Sequence, residues 1–402
     1  MKCIYVGSPF PDYFVLNHYS RQEFSQADNK AQLSLLRGLK ERYRDDLIVI
    51  TSNQNFENKK NKKIIFGRSK VIICDDIAAI AVANINLDRT SFYFTTMIMM
   101  TIEVLKIIKK LKKKNKNEKI VVVSFNPHIF YSYPVLIAKK RYSVKTVCFL
   151  VGSVLLPDLT GLAKFINKRS LSAFRNFDGV ITYVEKSCLD YTKAPYLPIL
   201  YSVNHTFPKK RVNRLKKEKV ISYTGALTTV NGVDIILEVA KKLPVKYKFI
   251  ICGTGPLKER VLEYEKKYDN IIYKGVVSNE ESMRIQQESD LLLLIRSDRD
   301  TINKYYSDYA ASGKLTEYVA TGVPILAHKI GAFPSCLIPY LNFVDSLDPN
   351  QIAHQIEGLL ENDSYKLLLN KAEAGKKFIE KNGNESTQNK KICDFVDKLM
   401  KR

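Results

Sequence analysis

The sequence of 402 residues has no cysteine pattern that would form a disulfide scaffold or a thiolate metal site. Its seven cysteines are scattered and odd in number, and no two of them form a Cys-x-x-Cys pair. A reducing, cytoplasmic location is therefore expected. The five histidines are also dispersed, without a His-x3-His or Cys/His cluster, which argues against a zinc site. We expect no metal and no cofactor.

Long apolar runs are also missing. After Met1 and Lys2, the run CIYVG is too short for the apolar region of a signal peptide, so none is expected. The most apolar stretch, SFYFTTMIMMTIEVL, contains threonines and Glu103 and falls short of the roughly 20 apolar residues that span a bilayer. The sequence therefore predicts no transmembrane helix.

What the chain has in excess is positive charge. It carries 64 basic and 41 acidic side chains, a formal net charge of +23, and the first 200 residues hold 32 of the basic and 16 of the acidic ones. Such an excess predicts an anionic partner, which is a nucleic acid, a membrane surface or a phosphorylated substrate.

Nucleic acid is not expected to be that partner. The chain shows no aromatic RNP strip, zinc finger or helix-turn-helix pattern, and aromatic residues do not interrupt the lysine run. Two segments, 105–119 and 154–170, instead place apolar residues beside cations. Peripheral docking on anionic lipid headgroups needs that combination, so membrane contact is predicted there. A solvated basic face is the alternative.

Short β-rich runs alternate with helical patterns along the whole chain, which predicts an α/β fold with parallel sheets. The polar, basic stretch between residues 201 and 218 has no periodicity and indicates a linker. We predict two Rossmann-like domains at 1–203 and 219–380, a linker at 204–218, and a C-terminal helix at 381–402 that returns to the first domain. The domains are expected to face each other across a cleft that holds the active site, because ligands of open parallel sheets bind beyond the strand carboxyl ends.

The segment SDYAASGKLTEYVATGVPILAHKIGAFP at 307–334 carries the most chemical information. A loop of small residues leads into a short helix with Lys314 in its first turn and Glu317 three residues later. Unpaired amides at a helix N-terminus favour an anion, and Lys314 adds a point charge. Glu317 is placed to accept hydrogen bonds from a vicinal diol. A phosphate beside a diol describes a nucleotide; a surface Lys–Glu pair on an ordinary helix is the alternative.

The same helix, GKLTEYVATGVPIL, resembles the donor-site helix of the retaining glycosyltransferases of family 4, which have the two-domain GT-B fold. The likeness is strongest to the branch of bacterial surface-polysaccharide assembly. It covers nearly the whole chain, in matching order and spacing, through the segments YTGALTTVNGVDIILEVAKKL, FIICGTGPLKERV, IIYKGVVSNEE and NKAQLSLLRGL.

The resemblance implies roles for residues of the 307–334 segment. Glu317 matches the second glutamate of the family's Glu-x7-Glu motif, which binds the nucleotide ribose. The first glutamate falls at Tyr309, a departure from the motif, and the adjacent Asp308 offers a carboxylate in its place.

A second departure lies in the loop GALTTVNG. Many family members carry an Arg and a Lys there, near the diphosphate, whereas this chain has Ala226 and Asn231. The diphosphate is therefore expected to rely on Lys314, the helix amides and the backbone near Gly225.

Other strand-end residues complete the predicted donor site. Gly253-x-Gly255 resembles a dinucleotide fingerprint, but Lys258 occupies the position of its third glycine, so an NAD site is not expected. A tight turn between strand and helix is expected there instead. The Asp298-Arg299-Asp300 triplet is interpreted as a solvated loop. The predicted donor-binding residues are Gly225, Ala226, Gly253, Gly255, Val276, Val277, Arg296, Ser297, Asp308, Tyr309, Ser312, Gly313, Lys314, Leu315 and Glu317.

The acceptor is expected at strand ends of the first domain, and its predicted residues are Gly7, Ser8, Asn17, His18 and His128. His128 follows the strand KIVVVSF and is placed to orient an acceptor hydroxyl; a capping or partly buried histidine is the alternative. Together with Lys314 and Glu317, it forms the predicted catalytic set.

These features predict a glycosyltransferase of the hexosyl-transferring class (EC 2.4). It would move a sugar from a nucleotide-sugar donor to a saccharide acceptor, expected to be lipid-linked, in capsule or other surface-polysaccharide assembly. The family resemblance implies that the transfer retains the anomeric configuration. It would work in the cytoplasm, peripherally at the inner face of the plasma membrane. Two alternatives stay open: a nucleotide-sugar epimerase, and a non-catalytic GT-B partner protein, which the missing glutamate and missing cations suggest.

Overall fold

The computed structural model describes residues 1–9, 26–52, 64–74, 76–85, 87–154, 159–203, 218–361 and 364–401. Asn17, His18 and residues 204–217 of the predicted linker lie outside this described part. The chain divides into two compact units. The first comprises Met1–Ile199 with Glu385–Arg402, and the second comprises Leu200–Asn384.

The described residues of the first unit form ten strands. They are β1 (Lys2–Val6), β2 (Leu47–Ser52), β3 (Ile65–Phe66), β4 (Ser69–Cys74), β5 (Ile77–Val82), β6 (Asn84–Ile85), β7 (Ile120–Phe125), β8 (Lys145–Leu150), β9 (Gly179–Thr182) and β10 (Tyr196–Pro198). Eight form one sheet in the order β10-β9-β8-β7-β1-β2-β5-β4, parallel except for the antiparallel β4–β5 pair. Strands β3 and β6 form a separate antiparallel pair.

Sequence explains why the centre of this sheet is parallel and buried. Strand β7 reads IVVVSF and is buried at all six positions. Such continuous runs of β-branched residues suit a strand covered on both faces. The helices that connect the strands are α1 (Gln26–Tyr43), α2 (Arg89–Lys114), α3 (Ile129–Tyr142), α4 (Gly161–Phe174) and α5 (Glu185–Tyr191).

Helix α2 corrects the expectation that no segment is apolar enough to cross a membrane. Residues Thr90–Lys114 meet that requirement by length and composition, with a mean hydropathy of 1.4 in the most apolar window, of which 33% is buried. Phe92, Met100 and Val104 are buried in the unit. Glu103, also buried, forms an ion pair of 2.8 Å with Arg68. Helix α2 is therefore packed on its inner side and apolar on its outer side.

The second unit is built on a six-stranded parallel sheet. Its strands are β11 (Lys219–Thr224), β12 (Tyr247–Cys252), β13 (Ile271–Gly275), β14 (Leu291–Leu294), β15 (Ile325–Ala327) and β16 (Asn342–Phe343). Their order is β13-β12-β11-β14-β15-β16. The chain runs outwards from β11 in one direction and then from β14 in the other. Ligands of such sheets bind beyond the strand carboxyl ends at this reversal.

Helices cover the second sheet and complete its core. They are α6 (Val233–Lys242), α7 (Lys258–Lys267), α8 (Asn279–Glu288), α9 (Thr301–Tyr309), α10 (Gly313–Thr321), α11 (Pro349–Glu361) and α12 (Ser364–Asn382). Ile221 of β11, Phe249 of β12, Ile236 of α6 and Ile356 of α11 belong to one buried cluster. This core fixes the strand ends at which the site is built.

The last helix, α13 (Glu385–Lys401), belongs to the first unit. It packs on α1, where a side chain on Gly38 would collide with Asn389. Arg42 and Tyr43 both donate hydrogen bonds to Asp397, at 3.1 Å from Arg42 Nε and 3.0 Å from the Tyr43 hydroxyl. The first unit is thus assembled from both ends of the chain.

Candidate functional site

Backbone packs directly on backbone where β11 and β12 end. The amide of Gly225 donates to the carbonyl of Cys252 at 2.9 Å, and that of Leu227 donates to Thr254 at 2.9 Å. Gly253 has φ +131°, and a Cβ there would lie 1.8 Å from the Gly225 carbonyl oxygen. Only glycine allows this approach. The Gly-x-Gly segment therefore forms the tight turn expected for it and shapes the neighbouring Gly225 loop.

Lys314 reaches from the first turn of α10 to the end of β11. Its ammonium donates to the Tyr223 hydroxyl at 3.0 Å and lies 4.8 Å from the centre of that ring. A Cβ on Gly225, which has φ +149°, would lie 1.9 Å from Lys314 Nζ. The Tyr223 hydroxyl in turn donates to the carbonyl of Ala226 at 2.8 Å. The missing side chain of Gly225 thus makes the space that the ammonium occupies.

The N-terminus of α10 is suited to an anion. Ser312, the residue before the helix, makes no side-chain hydrogen bond to the first-turn amides. The amides of Gly313 and Lys314 belong to the turn that has no partner within a helix. They carry the positive end of the helix dipole, which adds to the Lys314 charge.

Glu317 lies on the solvent side of α10. Its side chain is exposed, whereas its neighbours Thr316 and Tyr318 are buried. The Tyr318 hydroxyl accepts a hydrogen bond from the backbone amide of Thr224 at 2.9 Å, which ties α10 to β11. The Glu317 carboxylate is therefore directed away from the core and close enough to Lys314 to act on its charge.

Two cations share this edge of the sheet. Burial, with a smaller contribution from the positive charge of Arg296, lowers the pKa of Lys314 to about 8, and Glu317 opposes the shift. Burial likewise lowers the pKa of Arg296 to about 10. Cations whose pKa is lowered in this way are stabilised by a bound anion, because it supplies the charge that the buried site lacks.

Arg296, a predicted donor-binding residue, holds the chain on its way to α10. Its guanidinium donates to the carbonyls of Ala310 at 2.7 Å and Tyr306 at 3.1 Å. These carbonyls belong to the last turn of α9 and the residue after it. Its Nε is buried without a partner in the described part of the chain. Arg296 therefore fixes the loop that carries Ser312.

Tyr309, at the position of the first motif glutamate, and the adjacent Asp308 both make contacts within the second unit. Asp308 Oδ1 accepts a hydrogen bond from the amide of Gly331 at 3.1 Å. The ring of Tyr309 packs against Tyr305 with centroids 5.0 Å apart. Asp308 Oδ1 thus fixes the loop after β15, and the carboxylate has further acceptor sites for a ligand.

The remaining predicted donor residues differ in exposure. Val276, just after β13, is 65% exposed. Ala226 is exposed and Val277 is partly exposed. Leu315 is buried, and its backbone amide donates to the Ser312 carbonyl at 3.3 Å. Ser297 is also buried, and its amide donates to Val230 at 2.9 Å.

The Asp298–Asp300 segment has structural partners. Asp300 accepts a hydrogen bond from the amide of Asn303 at 2.8 Å and so caps α9. Asp298 lies 3.9 Å from the His328 ring. Among the described residues, no group of three His, Cys, Asp or Glu side chains is arranged to hold a metal ion.

Sequence reasoning missed the residues that hold Lys314 and α10 in place. These are Tyr223, Tyr318 and Gln286, whose amide nitrogen donates to Thr224 Oγ1 at 2.9 Å. All three are buried, and a buried aromatic in a strand or helix looks like any core residue in a sequence. The one signal in the sequence was the charge of Lys314 near a strand end, because a buried ammonium needs a hydrogen-bond acceptor.

Of the predicted acceptor residues, the three that the structure describes, Gly7, Ser8 and His128, lie at or just beyond strand ends. Gly7 and Ser8 follow β1, and the Ser8 amide donates to Gln32 Oε1 at 3.0 Å. His128 precedes α3, has an exposed side chain, and stacks on Phe130 with centroids 5.9 Å apart. Asn126, with φ +50°, accepts a hydrogen bond from the Val151 amide at 2.8 Å. The ends of β7 and β8 are therefore joined beside His128.

Comparison with known proteins places these units in a known architecture. Residues 206–378 match the family model "Glycosyl transferases group 1". No curated protein gives a significant sequence match. HepE of Anabaena in complex with UDP has a TM-score of 0.62 and 12% identity, with 99% of this chain and 100% of that chain covered.

Two further solved structures cover 99% of both chains at 13% identity and a TM-score of 0.61. One is the sucrose-phosphate synthase of Thermosynechococcus elongatus, and the other is the lipopolysaccharide outer core galactosyltransferase WaaB in its apo form. The predicted fold class, α/β with two Rossmann-like domains in the GT-B architecture, is confirmed. The match to the glycosyl transferases group 1 model lies within the second unit and supports the predicted enzyme class, a hexosyl-transferring glycosyltransferase.

Replacing Gly225 with alanine tests the close approach of Lys314. The added Cβ would occupy the position of the ammonium, so we expect nucleotide binding to weaken about tenfold or more. Gly161→Ala is the matched control, because its φ of +52° is also positive, nothing lies within 4 Å of an added Cβ, and it belongs to the first unit. Titration calorimetry with a nucleoside diphosphate measures both variants. Equal effects of the two substitutions would mean that backbone strain, and not the displaced ammonium, is responsible.

Proposed function

We propose that this protein transfers a hexosyl group from a nucleoside-diphosphate sugar, with a uridine nucleotide as the first candidate. The observation that carries the proposal is the Lys314 ammonium, held over Gly225 at the tip of α10 by Tyr223. The UDP in the HepE structure supports the choice of base. In this proposal the diphosphate lies against the α10 amides and Lys314, and the base lies beside Val276.

The residues of the site suit the charge that develops when the glycosidic bond to the diphosphate breaks. Negative charge accumulates on the leaving phosphate, and a fixed ammonium and fixed amides stabilise it without reorganisation. Glu317, exposed one turn further along α10, accepts hydrogen bonds from the ribose hydroxyls in this proposal. Binding both substrates in a defined orientation supplies the remaining rate advantage.

We also propose the family, the stereochemistry of transfer, the acceptor and the location of the protein. The motif order at 219–334 supports family 4 and hence retention of configuration. A saccharide acceptor, lipid-linked and destined for surface polysaccharide, fits the strand-end residues Gly7, Ser8 and His128. The excess of positive charge supports a cytoplasmic protein held at the inner face of the plasma membrane.

The transferase, the nucleotide-sugar epimerase and the non-catalytic partner protein predict different products from the same reagents. Purified protein is incubated with a panel of nucleotide sugars, and release of the nucleoside diphosphate is followed by chromatography. Release with a free sugar as co-product supports the transferase. An isomeric nucleotide sugar would instead identify an epimerase. A protein that binds nucleotide but converts none of the donors, with or without saccharide acceptors, would be the non-catalytic partner.

The lowered pKa of Lys314 predicts a pH dependence. Lys314 binds the diphosphate only as the ammonium, which is present below its pKa of about 8 and lost as the pH rises through that value. We therefore expect kcat/KM to fall about tenfold per pH unit above about pH 8. Lys314→Met should give a low rate without this alkaline fall. The same fall in the variant would assign the titration to another group.

A further inference from the structure

The outer side of α2 exposes an unusual row of residues. Phe94, Ile98 and Ile102 are 38%, 53% and 51% exposed. Lys106 and Lys110 continue the row and are also exposed. Residues four apart are neighbours on a helix surface, and each step turns by about 40°, so this row winds obliquely along the helix. We call these five residues the α2 ridge; it is apolar in its first half and cationic in its second.

The apolar half is wider than one helix. Ile65 and Ile85 lie opposite each other in the β3–β6 pair and are 68% and 37% exposed. The amide of Ile85 donates to Thr95 Oγ1 at 3.0 Å, which holds this pair beside Phe94. Leu87, between β6 and α2, is 68% exposed. Apolar surfaces of this extent mark an interaction site.

The lysines of the cationic half form no ion pair with a carboxylate among the described residues. Seven lysines between residues 106 and 119 are exposed: Lys106, Lys109, Lys110, Lys113, Lys114, Lys116 and Lys119. The acidic residue of this stretch, Glu118, lies 3.2 Å from the N-terminal amino group of Met1. No ion pair joins the seven lysines to a carboxylate within the described ranges of the chain. Their charge is therefore available to an anionic surface.

We propose that the α2 ridge docks this protein on an anionic lipid bilayer. Helix α2 lies along the bilayer surface, with Phe94, Ile98 and Ile102 inserted below the headgroups and the lysines in contact with the anionic groups. The three apolar residues extend over about 12 Å, and Ile102 and Lys113 are about 16 Å apart along the helix axis. A surface helix with apolar anchors beside cations binds in this way.

The inner side of α2 argues for lying on the membrane and against crossing it. Phe92, Met100 and Val104 contribute to the core, and Glu103 pairs with Arg68 at 2.8 Å. A spanning helix would lose these contacts and place Glu103 in hydrocarbon, which is costly. The surface also differs from the predicted one, because its apolar anchors precede residue 105. The proposal deepens the membrane location given under the proposed function, on which it rests, by naming the surface that docks, and it needs no donor or acceptor.

Flotation with vesicles tests the α2 ridge. The full chain is mixed with vesicles of phosphatidylcholine alone, or of phosphatidylcholine with phosphatidylglycerol, at low and high salt. We expect binding to the anionic vesicles, weakened by salt. Ile98→Asp with Ile102→Asp should reduce the partition coefficient at least about tenfold. Each Lys→Gln change at 106, 109, 110 or 113 should reduce it about fivefold at low salt.

Leu367→Asp is the matched control, since Leu367 is 71% exposed but lies in the second unit and should leave binding unchanged. If the double Asp variant melts at a lower temperature than the wild type, its weaker binding could come from unfolding. The Lys→Gln variants then provide the test of the proposal. Unchanged flotation of both variant sets would overturn the proposal. The proposal would also be overturned if the wild-type protein formed a dimer that does not bind vesicles and that the Ile→Asp changes dissociate. Donor turnover without vesicles should be normal in every variant; wild-type protein that floats but converts no donor would overturn only the proposed function.

Discussion

Lys314→Ala should slow sugar transfer by about 10²- to 10³-fold, with a smaller change in the KM for the donor. The ammonium lies at the tip of α10 and at the end of β11, over Gly225, where the proposed diphosphate rests. Its interaction grows as the glycosidic bond breaks and charge collects on the leaving phosphate. It therefore stabilises the transition state more than the bound donor.

Release of the nucleoside diphosphate measures this effect under saturating donor. Lys304→Ala is the matched control, because Lys304 is exposed on the neighbouring α9 and should leave the rate unchanged. A Lys314→Ala protein with wild-type kcat would show that the diphosphate leaves without help from this side chain. The proposed donor site would then be wrong.

Glu317→Ala should weaken nucleotide binding about 10- to 100-fold, which corresponds to about 1.5–3 kcal/mol for hydrogen bonds to a charged group. In the proposed site the carboxylate accepts both ribose hydroxyls. The loss should therefore appear in the dissociation constant of the nucleoside diphosphate itself, without any sugar attached. Titration calorimetry measures it directly.

A deoxynucleotide identifies the interaction that is lost. Wild-type protein should bind the 2′-deoxy diphosphate more weakly than the ribose form, whereas the Glu317→Ala variant should bind the two alike. Glu280→Ala, an exposed glutamate at the start of α8, is the control and should discriminate like the wild type. Discrimination that survives in Glu317→Ala would assign ribose recognition to another residue.

Much of the fold was predictable because parallel strands carry a simple pattern. Runs such as IVVVSF in β7 and LLLL in β14 are buried throughout and alternate with helices of regular apolar spacing. The helix at 313–321 was predictable for a different reason. It combines small residues, a lysine in the first turn and a glycine at its end, where Gly322 adopts φ +68°.

The supports of the site were not predictable, because they depend on contacts between distant parts of the chain. Tyr223 and Lys314 are 91 residues apart, and nothing local in either segment indicates the other. The sequence predicted Arg296 at the site. Its hydrogen bonds to the Tyr306 and Ala310 carbonyls could not be predicted, because they depend on the path that the loop takes. The outer side of α2 was missed because an apolar helix does not reveal from its composition which side it buries.

The position of α13 has a consequence for how the protein is made. The first unit needs this helix, in which Val396 and Leu399 are buried, yet it is translated after the entire second unit. Domains generally fold as they emerge from the ribosome, N-terminal part first. Here the sheet of the first unit has to wait, with the α1 surface around Gly38 uncovered, until residues 385–401 have been synthesised.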